Sequence, residues 1–133
     1  MKPKIRVSAI IIDNKKILML LGKGYPELWT PGGKIEVKER DEDCLRRELH
    51  EEIGVTLQAA TFFKEYSTYS FYDPAVPLIE RVYLAKVTGE IKPAAEIESI
   101  YWYTKEDLKN NELPIITFTR ETLLPELINE GIW

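Results

Sequence analysis

Three glutamates, Glu48, Glu51 and Glu52, stand at spacings i, i+3 and i+4 in the first half of the chain. On an α-helix those spacings share one face, so the three carboxylates can converge on a small volume. Two carboxylates about 6 Å apart repel by roughly 3 kcal/mol at an effective dielectric of about 20. Hard oxygen donors at this density suit Mg²⁺ or Mn²⁺ rather than zinc or copper. The spacing therefore predicts a divalent metal site.

The acidity of the chain is concentrated around these glutamates. The 133 residues carry a net charge of −4, and residues 36–52 hold eight acidic and four basic side chains. The remaining residues are balanced, with 14 acidic and 14 basic side chains. A local excess of acid is what a cation site needs. Because no basic stripe is present, we expect no nucleic acid polymer as a partner.

The glutamates lie in a predicted helix that begins at about Glu39 or Asp41 and ends at Ile53. Acidic residues crowd its first turn, where they face the positive end of the helix dipole. Gly54 follows the last helical residue and is typical of a helix C-terminus. The sequence therefore predicts that the three glutamates lie in the last two turns of this helix.

Other residues of this region should position the helix. Leu45 and Leu49 lie on an adjoining face and are expected to anchor it to a sheet. Gly32 and Gly33, which precede the helix, let the backbone bend and approach another group closely. The pattern brings a bent loop, a helix and a carboxylate cluster to one place.

Five segments outside the helix have the composition of β-strands. The first two are joined by the turn 13–16 and predict a hairpin. A helix with Thr104 as its N-cap and a last helix over about 120–129, kinked or restarted at Pro125, follow. This order favours one α/β sandwich with a mixed sheet over residues 1–133. The predicted strands cover residues 5–12, 17–21, 55–72, 78–87 and 97–103.

The single cysteine, Cys44, excludes an internal disulfide and a cysteine-based zinc site. The N-terminal residues do not have the pattern of a signal peptide, and the apolar runs are shorter than a membrane span. We therefore expect a cytoplasmic protein that does not bind membranes. A monomer and a homodimer both stay open.

The stretch Gly33–Val55 reads GKIEVKERDEDCLRRELHEEIGV and has nine defined residues at fixed spacings. A glutamate follows the glycine after five residues; seven residues later come Arg-Glu-Leu, one residue, Glu-Glu, one residue and Gly-Val. This spacing resembles the complete signature of the Nudix (MutT-like) hydrolases, and every defined position matches. The preceding run Trp29–Gly33 and the later segment Glu96–Leu108 are also similar to that family.

The resemblance implies a Nudix-type α/β/α sandwich with a mixed β-sheet. It also implies hydrolysis of a nucleotide-type small molecule, a nucleoside diphosphate linked to another moiety, with Mg²⁺ or Mn²⁺. Glu48, Glu51 and Glu52 would be the metal ligands, and the backbone of Gly32 would contribute near the metal. The physical logic agrees, because divalent ions activate water and neutralise phosphoryl charge.

The resemblance also implies roles outside the metal ligands. One of the three glutamates, or the later Glu96 or Glu98, would orient or deprotonate the attacking water. Trp29, Tyr69 and Tyr72 are candidates for substrate contact because aromatic rings can sandwich a nucleobase. The alternative for these aromatic residues is packing within the fold.

Gly33, Glu39 and Arg47 would brace the loop and the helix. Arg47 is either a phosphate ligand or the ion-pair partner of a carboxylate such as Glu39. The structural role is favoured, because Arg47 is expected to point away from the Glu51 side of the helix.

The favoured reaction is hydrolysis of a nucleoside triphosphate to monophosphate and pyrophosphate. Many ADP-ribose pyrophosphatases have a proline 15 residues after the signature. In this chain that position is Ser70, so this signal of the ADP-ribose subfamily is missing. Hydrolysis of a dinucleoside polyphosphate or of a nucleotide sugar of the ADP-ribose type is the competing reaction. A non-catalytic nucleotide-binding sensor is an alternative of another class. Such domains typically lose carboxylates from the signature, and this chain keeps them all.

Overall fold

The computed structural model describes residues 2–133; Met1, with which the predicted domain begins, lies outside the described residues. The strands are β1 (Lys4–Ile10), β2 (Ile12–Asp13), β3 (Lys16–Gly22), β4 (Gly32–Lys34), β5 (Thr56–Tyr69), β6 (Pro77–Thr88) and β7 (Ile97–Tyr103). The helices are α1 (Asp41–Ile53), α2 (Lys105–Asn110) and α3 (Leu124–Asn129), the last preceded by a π-helical turn over Thr119–Leu123.

The strands form two sheets. The first has four strands in the order β4-β1-β6-β5 and is mixed, because β1 and β6 run parallel whereas its other pairs are antiparallel. The second has three antiparallel strands in the order β2-β3-β7. One core cluster packs α1 against the mixed sheet, and a second packs α3 against the opposite side of that sheet. The predicted α/β/α sandwich with a mixed sheet is therefore confirmed.

Helix α1 follows its predicted bounds. It runs from Asp41 to Ile53, and Gly54 has the left-handed backbone (φ 70°) that ends many helices. Leu45, Leu49 and Ile53 are fully buried at i, i+4 and i+8, so they form the stripe that holds the helix on the sheet. Burial of each such side chain stabilises the fold by about 1.5–3 kcal/mol.

The predicted pairing of the first two strands is wrong in part. Strand β1 ends at Ile10, and only the two-residue strand β2 forms the hairpin with β3. Strand β1 belongs to the mixed sheet and β3 to the antiparallel sheet. The chain changes sheets between them, and the β-branched composition of residues 5–12 did not reveal which strand each part would pair with. The turn itself is confirmed, with positive φ at Asn14 and Lys15.

The Gly32–Lys34 segment, expected to be a bent loop, forms the short strand β4 against β1. A Cβ on Gly32 would lie 2.2 Å from the carbonyl oxygen of Val7, so only glycine permits this approach. At the other end of the chain, the helix expected over 120–129 is a π-helical turn followed by α3. Pro125 lies in the first turn of α3, where its missing N–H costs little.

No helix within residues 2–133 combines the length and the apolar character needed to cross a membrane.

Candidate active site

Helix α1 presents its three signature glutamates to different environments. The side chain of Glu48 is 14% exposed and Glu52 as a residue is 3% exposed, whereas the side chain of Glu51 is 54% exposed. Glu48 and Glu52 are one turn apart and line the same cavity. Glu51 lies on the outer side of the helix and does not line it. Two of the three predicted ligands are therefore desolvated, and the third faces solvent.

The carboxylate of Glu52 is held by the backbone of β4. The N–H of Gly32 donates to Oε1 of Glu52 over 2.9 Å. Burial raises the pKa of Glu52 to about 8, against the opposing effects of that hydrogen bond and of Arg6, and the nearby Glu48 and Glu96 raise it further. A carboxylate in this position would gain strongly from a neighbouring cation.

Glu48 approaches the backbone of Gly33 very closely. A Cβ on Gly33 would lie 2.4 Å from Cδ of Glu48, so the glycine leaves the space that the carboxylate occupies. Burial raises the pKa of Glu48 as well, and the ion pair with Arg47 opposes that change. Beneath these groups, Cys44 is buried, with Sγ 3.5 Å from the carbonyl oxygen of Gly33.

Arg47 joins the loop to the helix. Its Nε lies 2.7 Å from Oε2 of Glu39, and its Nη2 lies 3.0 Å from Oε1 of Glu39 and 3.2 Å from the carbonyl oxygen of Lys34. Nη1 donates to Oε1 of Glu48 over 2.7 Å. Hydrogen bonds from Arg47 hold the pKa of Glu39 below its usual value. The guanidinium thus connects strand β4, the loop and α1.

One expectation about Arg47 is wrong. Its Nη1 lies 3.5 Å from Oε2 of Glu51, so the side chain does not point away from the Glu51 side of the helix. The two residues are four positions apart, and a long arginine side chain reaches a carboxylate one turn away. Arg47 therefore contacts Glu39, Glu48 and Glu51 together.

A cavity of about 310 Å³ opens beside Glu48 and Glu52. Its lining combines three carboxylates, the adjacent glycines Gly32 and Gly33, three basic side chains and three aromatic rings. This is a concave site with acidic, basic and aromatic walls, which suits a ligand that is itself part anion and part aromatic. The lining residues are Lys4, Ile5, Arg6, Trp29, Gly32, Gly33, Lys34, Glu48, Glu52, Ser70, Phe71, Tyr72, Leu78 and Glu96.

The structure separates the two late glutamates. Glu96 lines the cavity, whereas Glu98 is exposed on β7 and does not line it. Backbone hydrogen bonds explain the position of Glu96, because the N–H of Ala94 donates to the carbonyl of Glu52 over 2.9 Å. A second bond joins the N–H of Lys23 to the carbonyl of Glu96 over 2.8 Å. The loop before β7 is thereby tied to the end of α1.

The three aromatic candidates also separate. Trp29 and Tyr72 line the cavity, whereas Tyr69 is 64% exposed and lies on a neighbouring surface groove. The rings of Trp29 and Phe71 stack with their centroids 5.8 Å apart, and Tyr25 meets both edge-on. Phe71, which lies within the predicted strand 55–72, was not among the expected substrate contacts but lines the cavity beside Trp29.

The basic lining was missed altogether. Arg6 interrupts an apolar strand, and Lys34 follows the glycine pair, so both positions carried a signal that the sequence reasoning left unused. Arg6 and Lys34 are direct partners in the β1–β4 register. Their pairing across strands brings positive charge to the cavity from residues far apart in the chain.

The donor set fits a divalent ion in its chemistry. The donors are hard carboxylate and carbonyl oxygens, and burial raises the pKa of both Glu48 and Glu52, so each carboxylate would gain from a counter-charge. Within residues 2–133, no three carboxylate, imidazole or thiol groups form a ready metal cage. Arg47 contacts Oε1 of Glu48 and the N–H of Gly32 contacts Oε1 of Glu52, so one oxygen of each carboxylate is already engaged.

Comparison with known proteins identifies the family. The NUDIX domain family model matches residues 2–126. The nucleoside triphosphatase NudI of Escherichia coli (strain K12 / DH10B) is 32% identical over 109 residues, which cover 74% of this chain and 76% of that protein.

Solved structures share the fold over nearly the whole chain. The MutT protein from Methanosarcina mazei Go1 has a TM-score of 0.82 at 22% identity, covering 98% of this chain and 96% of that one. The MutT NUDIX hydrolase from Burkholderia pseudomallei has a TM-score of 0.77 at 26% identity, covering 90% and 95%. Nudix hydrolases act on nucleoside diphosphate-linked substrates and generally use divalent metal ions. With this signature, this fold and these relatives, the chain belongs to the Nudix hydrolase family and is a pyrophosphohydrolase of phosphorus-containing acid anhydrides.

Proposed function

We propose that this enzyme hydrolyses a nucleoside triphosphate to the nucleoside monophosphate and pyrophosphate, with Mg²⁺ or Mn²⁺ as the cofactor. The relative that is a nucleoside triphosphatase supports this substrate class. In this reaction water attacks one phosphorus atom, a P–O–P anhydride bond breaks, and pyrophosphate leaves.

One observation carries the proposal. A single cavity has Glu48, Glu52 and Glu96 on one wall and the aromatic rings of Trp29 and Tyr72 on another. A nucleotide has the matching polarity, with phosphates that need cations and a base that stacks on aromatic rings. The ammonium groups of Lys4 and Lys34 in the same lining would contact phosphoryl oxygens directly.

The residues of the chain then have distinct roles. Glu48, Glu51 and Glu52, with the backbone carbonyl of Gly32, would hold the metal. A bound divalent ion supplies charge neutralisation and an activated water. Glu96 is the favoured candidate for orienting or deprotonating that water, because it lines the cavity.

The brace lies beneath these groups. Arg47 binds Glu39 with two hydrogen bonds and Glu48 with one, so it holds the loop and the catalytic helix in one arrangement. Gly33 leaves space for the Glu48 carboxylate. These residues act on the reaction through Glu48.

The alternatives differ in the leaving group. Dinucleoside polyphosphates and nucleotide sugars of the ADP-ribose type carry the same diphosphate core and would use the same carboxylates. A sensor that binds nucleotides without turnover would need the carboxylates only for binding. A cytoplasmic location and a monomeric or homodimeric state stay predictions.

A nucleotide panel tests the proposal. The purified protein with Mg²⁺ is incubated with nucleoside triphosphates, diadenosine polyphosphates and ADP-ribose, and products are separated by ion exchange. We expect pyrophosphate from at least one triphosphate, with turnover abolished by a chelator and restored by Mg²⁺. Turnover only of a sugar or dinucleotide substrate would move the assignment to that subfamily. Tight nucleotide binding without turnover would favour the sensor.

A matched pair of variants ties turnover to the site. We expect Glu52→Gln to lower kcat/KM by roughly 10³-fold, because it removes a charged ligand near the reacting phosphoryl group. Glu42→Gln is the control, since Glu42 is exposed on the same helix and pairs only with Arg46 among the residues described. Similar loss in both variants would remove Glu52 from the metal site.

A further inference from the structure

A buried ion pair lies next to the 310 Å³ cavity that is lined by Glu48, Glu52 and Glu96, which we call the catalytic cavity. The proposed reaction gives this ion pair no role. Nη1 of Arg6 donates to Oε1 of Glu80 over 2.7 Å and to Oγ1 of Thr30 over 3.3 Å, and Nη2 donates to the carbonyl of Thr30 over 2.5 Å. Arg6 and Glu80 are partners in the parallel register of β1 and β6. The Arg6 guanidinium is therefore held by three hydrogen bonds to Glu80 and Thr30.

One oxygen of this pair is left without a partner. Glu80 is 5% exposed, and its Oε2 accepts no hydrogen bond from any residue described. A buried carboxylate oxygen without a donor is costly, and such atoms are rare in folded proteins. Burial raises the pKa of Glu80 while the Arg6 guanidinium opposes that rise. In its ion-paired form the free oxygen can only accept a hydrogen bond.

A small cavity lies beside the Glu80 side chain. It has a volume of about 20 Å³ and is lined by Glu80 together with Arg6, Trp29, Phe71 and Leu78. The last four residues also line the 310 Å³ catalytic cavity, so the two spaces are adjacent. The small space suits a group of about one non-hydrogen atom with its hydrogens, the size of a water molecule.

We propose that Glu80 is a specificity-determining residue that accepts a hydrogen bond from an exocyclic amino group of the substrate's nucleobase. The base ring occupies the aromatic end of the catalytic cavity near Trp29 and Phe71. Its amino group projects into the small cavity and donates to Oε2 of Glu80. The inference rests on the proposed function in requiring that the cavity takes a nucleotide. The amino group is the one that distinguishes cytosine from uracil or adenine from hypoxanthine.

The chemistry discriminates against the keto counterparts. Uracil and hypoxanthine carry a carbonyl oxygen where cytosine and adenine carry the amino group. A carbonyl oxygen directed at the Glu80 carboxylate leaves two buried acceptors facing each other without a proton between them. Sites that depend on such a hydrogen bond reject the analogue that lacks it. We expect a preference of roughly 10- to 100-fold, the range set by an unsatisfied buried polar group.

Matched nucleotide pairs test the inference on the wild-type protein. Dissociation constants are measured by calorimetry with Mg²⁺ for CMP against UMP and for AMP against IMP. The kcat/KM values are measured for the corresponding triphosphates. We expect the amino member to bind more tightly, and to be hydrolysed with the higher kcat/KM, in at least one pair. Equal constants within both pairs, or no binding and no turnover of any member, would overturn the inference.

Whether the protein prefers the amino or the keto nucleotide also tests the inference. A preference for the keto member in both pairs would also overturn the inference, because only a protonated Glu80 could donate to a carbonyl oxygen. Equal hydrolysis of both members would overturn the inference and support the proposed function. Selective binding of the amino member without hydrolysis would support the inference and overturn the proposed function.

The variant Glu80→Gln assigns the preference to this residue. Its amide keeps a carbonyl oxygen for Arg6 and replaces the free acceptor by an N–H donor, so we expect the amino-to-keto ratio to fall at least tenfold. Glu65→Gln is the matched control, because Glu65 is an exposed residue of the same sheet that pairs with Arg81. A ratio unchanged in a folded Glu80→Gln protein would overturn the assignment. Should that variant fail to fold, the wild-type pairs still decide the inference.

Discussion

The carboxylate of Glu52 accepts a hydrogen bond from the backbone N–H of Gly32 over 2.9 Å, and this bond joins helix α1 to strand β4. The same carboxyl is almost fully buried, with its pKa raised by burial to about 8. The residue is therefore held in place by the fold at a cost in stability. Sites that perform chemistry often carry such a cost, because the charge is placed where the ligand needs it.

The first prediction concerns the stability of the metal-free protein. With Glu52 titrating at about 8 in the folded chain and near 4.5 when unfolded, the folded state holds a proton that the unfolded state has released between these values. The contribution of Glu52 to stability is therefore fully present below pH 4.5 and is lost as the pH rises through about 8. In a chelator, we expect Glu52→Gln to be more stable than wild type at pH 9 by on the order of 3 kcal/mol. Urea unfolding at pH 5 and pH 9 measures this difference.

The matched control for that measurement is Glu98→Gln, which changes an exposed carboxylate. We expect its free energy of unfolding to stay close to wild type at both pH values. Wild-type stability that is flat from pH 5 to pH 9 in the chelator would contradict the burial of an unpaired charge at Glu52.

A second prediction separates the late glutamates. We expect Glu96→Gln to lower kcat by about 10²- to 10⁴-fold, the range for loss of a general base, because Glu96 lines the catalytic cavity. Glu98→Gln should stay within about threefold of wild type, since a solvated surface carboxylate contributes little. Steady-state kinetics with the best substrate of the panel measures both. The opposite order of effects would return the catalytic role to Glu98.

A third prediction concerns the brace at Arg47. Lysine keeps the charge but cannot reproduce the planar pair of bonds to Glu39 together with the bond to Glu48. We expect Arg47→Lys to lower kcat/KM by roughly 10- to 100-fold, as for other residues that orient ligands. The melting temperature should also fall.

Arg46→Lys is the control for that variant. Arg46 stands beside Arg47 but pairs with Glu42 and the carbonyl of Leu57, away from the cavity. Its activity should remain near wild type. Full activity in Arg47→Lys would mean that Glu48 needs no bracing.

A fourth prediction tests the space that Gly33 leaves. An added Cβ would meet the carboxylate of Glu48 at 2.4 Å, and a flexible side-chain end can move aside. We therefore expect Gly33→Ala to fold but to lose about 10²-fold in kcat, the cost of a displacement near 1 Å. Gly24→Ala is the control. A Cβ on Gly24 would have no heavy atom within 4 Å, but φ is +74°, a backbone conformation that strains alanine. That control should lose about 1 kcal/mol of stability and keep its activity.

The sequence alone determined much of the local structure. Helix α1, its end at Gly54 and strand β7 follow from hydrophobic periodicity and from helix-ending residues such as glycine. Both signals depend only on residues close together in the chain. The spacing of the signature glutamates also identified the family, because that spacing is itself a local property of a helix.

Tertiary structure decided which residues share a cavity. Glu51 faces solvent, Glu96 reaches the cavity where Glu98 does not, and Tyr69 is left outside it. These outcomes depend on backbone bonds between distant segments, such as that from Ala94 to Glu52.

The pair of Arg6 and Glu80 shows the same limit most plainly. The two residues lie 74 positions apart, and only the parallel register of β1 and β6 makes them neighbours. Nothing in either local segment specifies that register. The chemistry of the signature could therefore be identified from the sequence, whereas the surroundings that would choose a substrate exist only once the strands have paired.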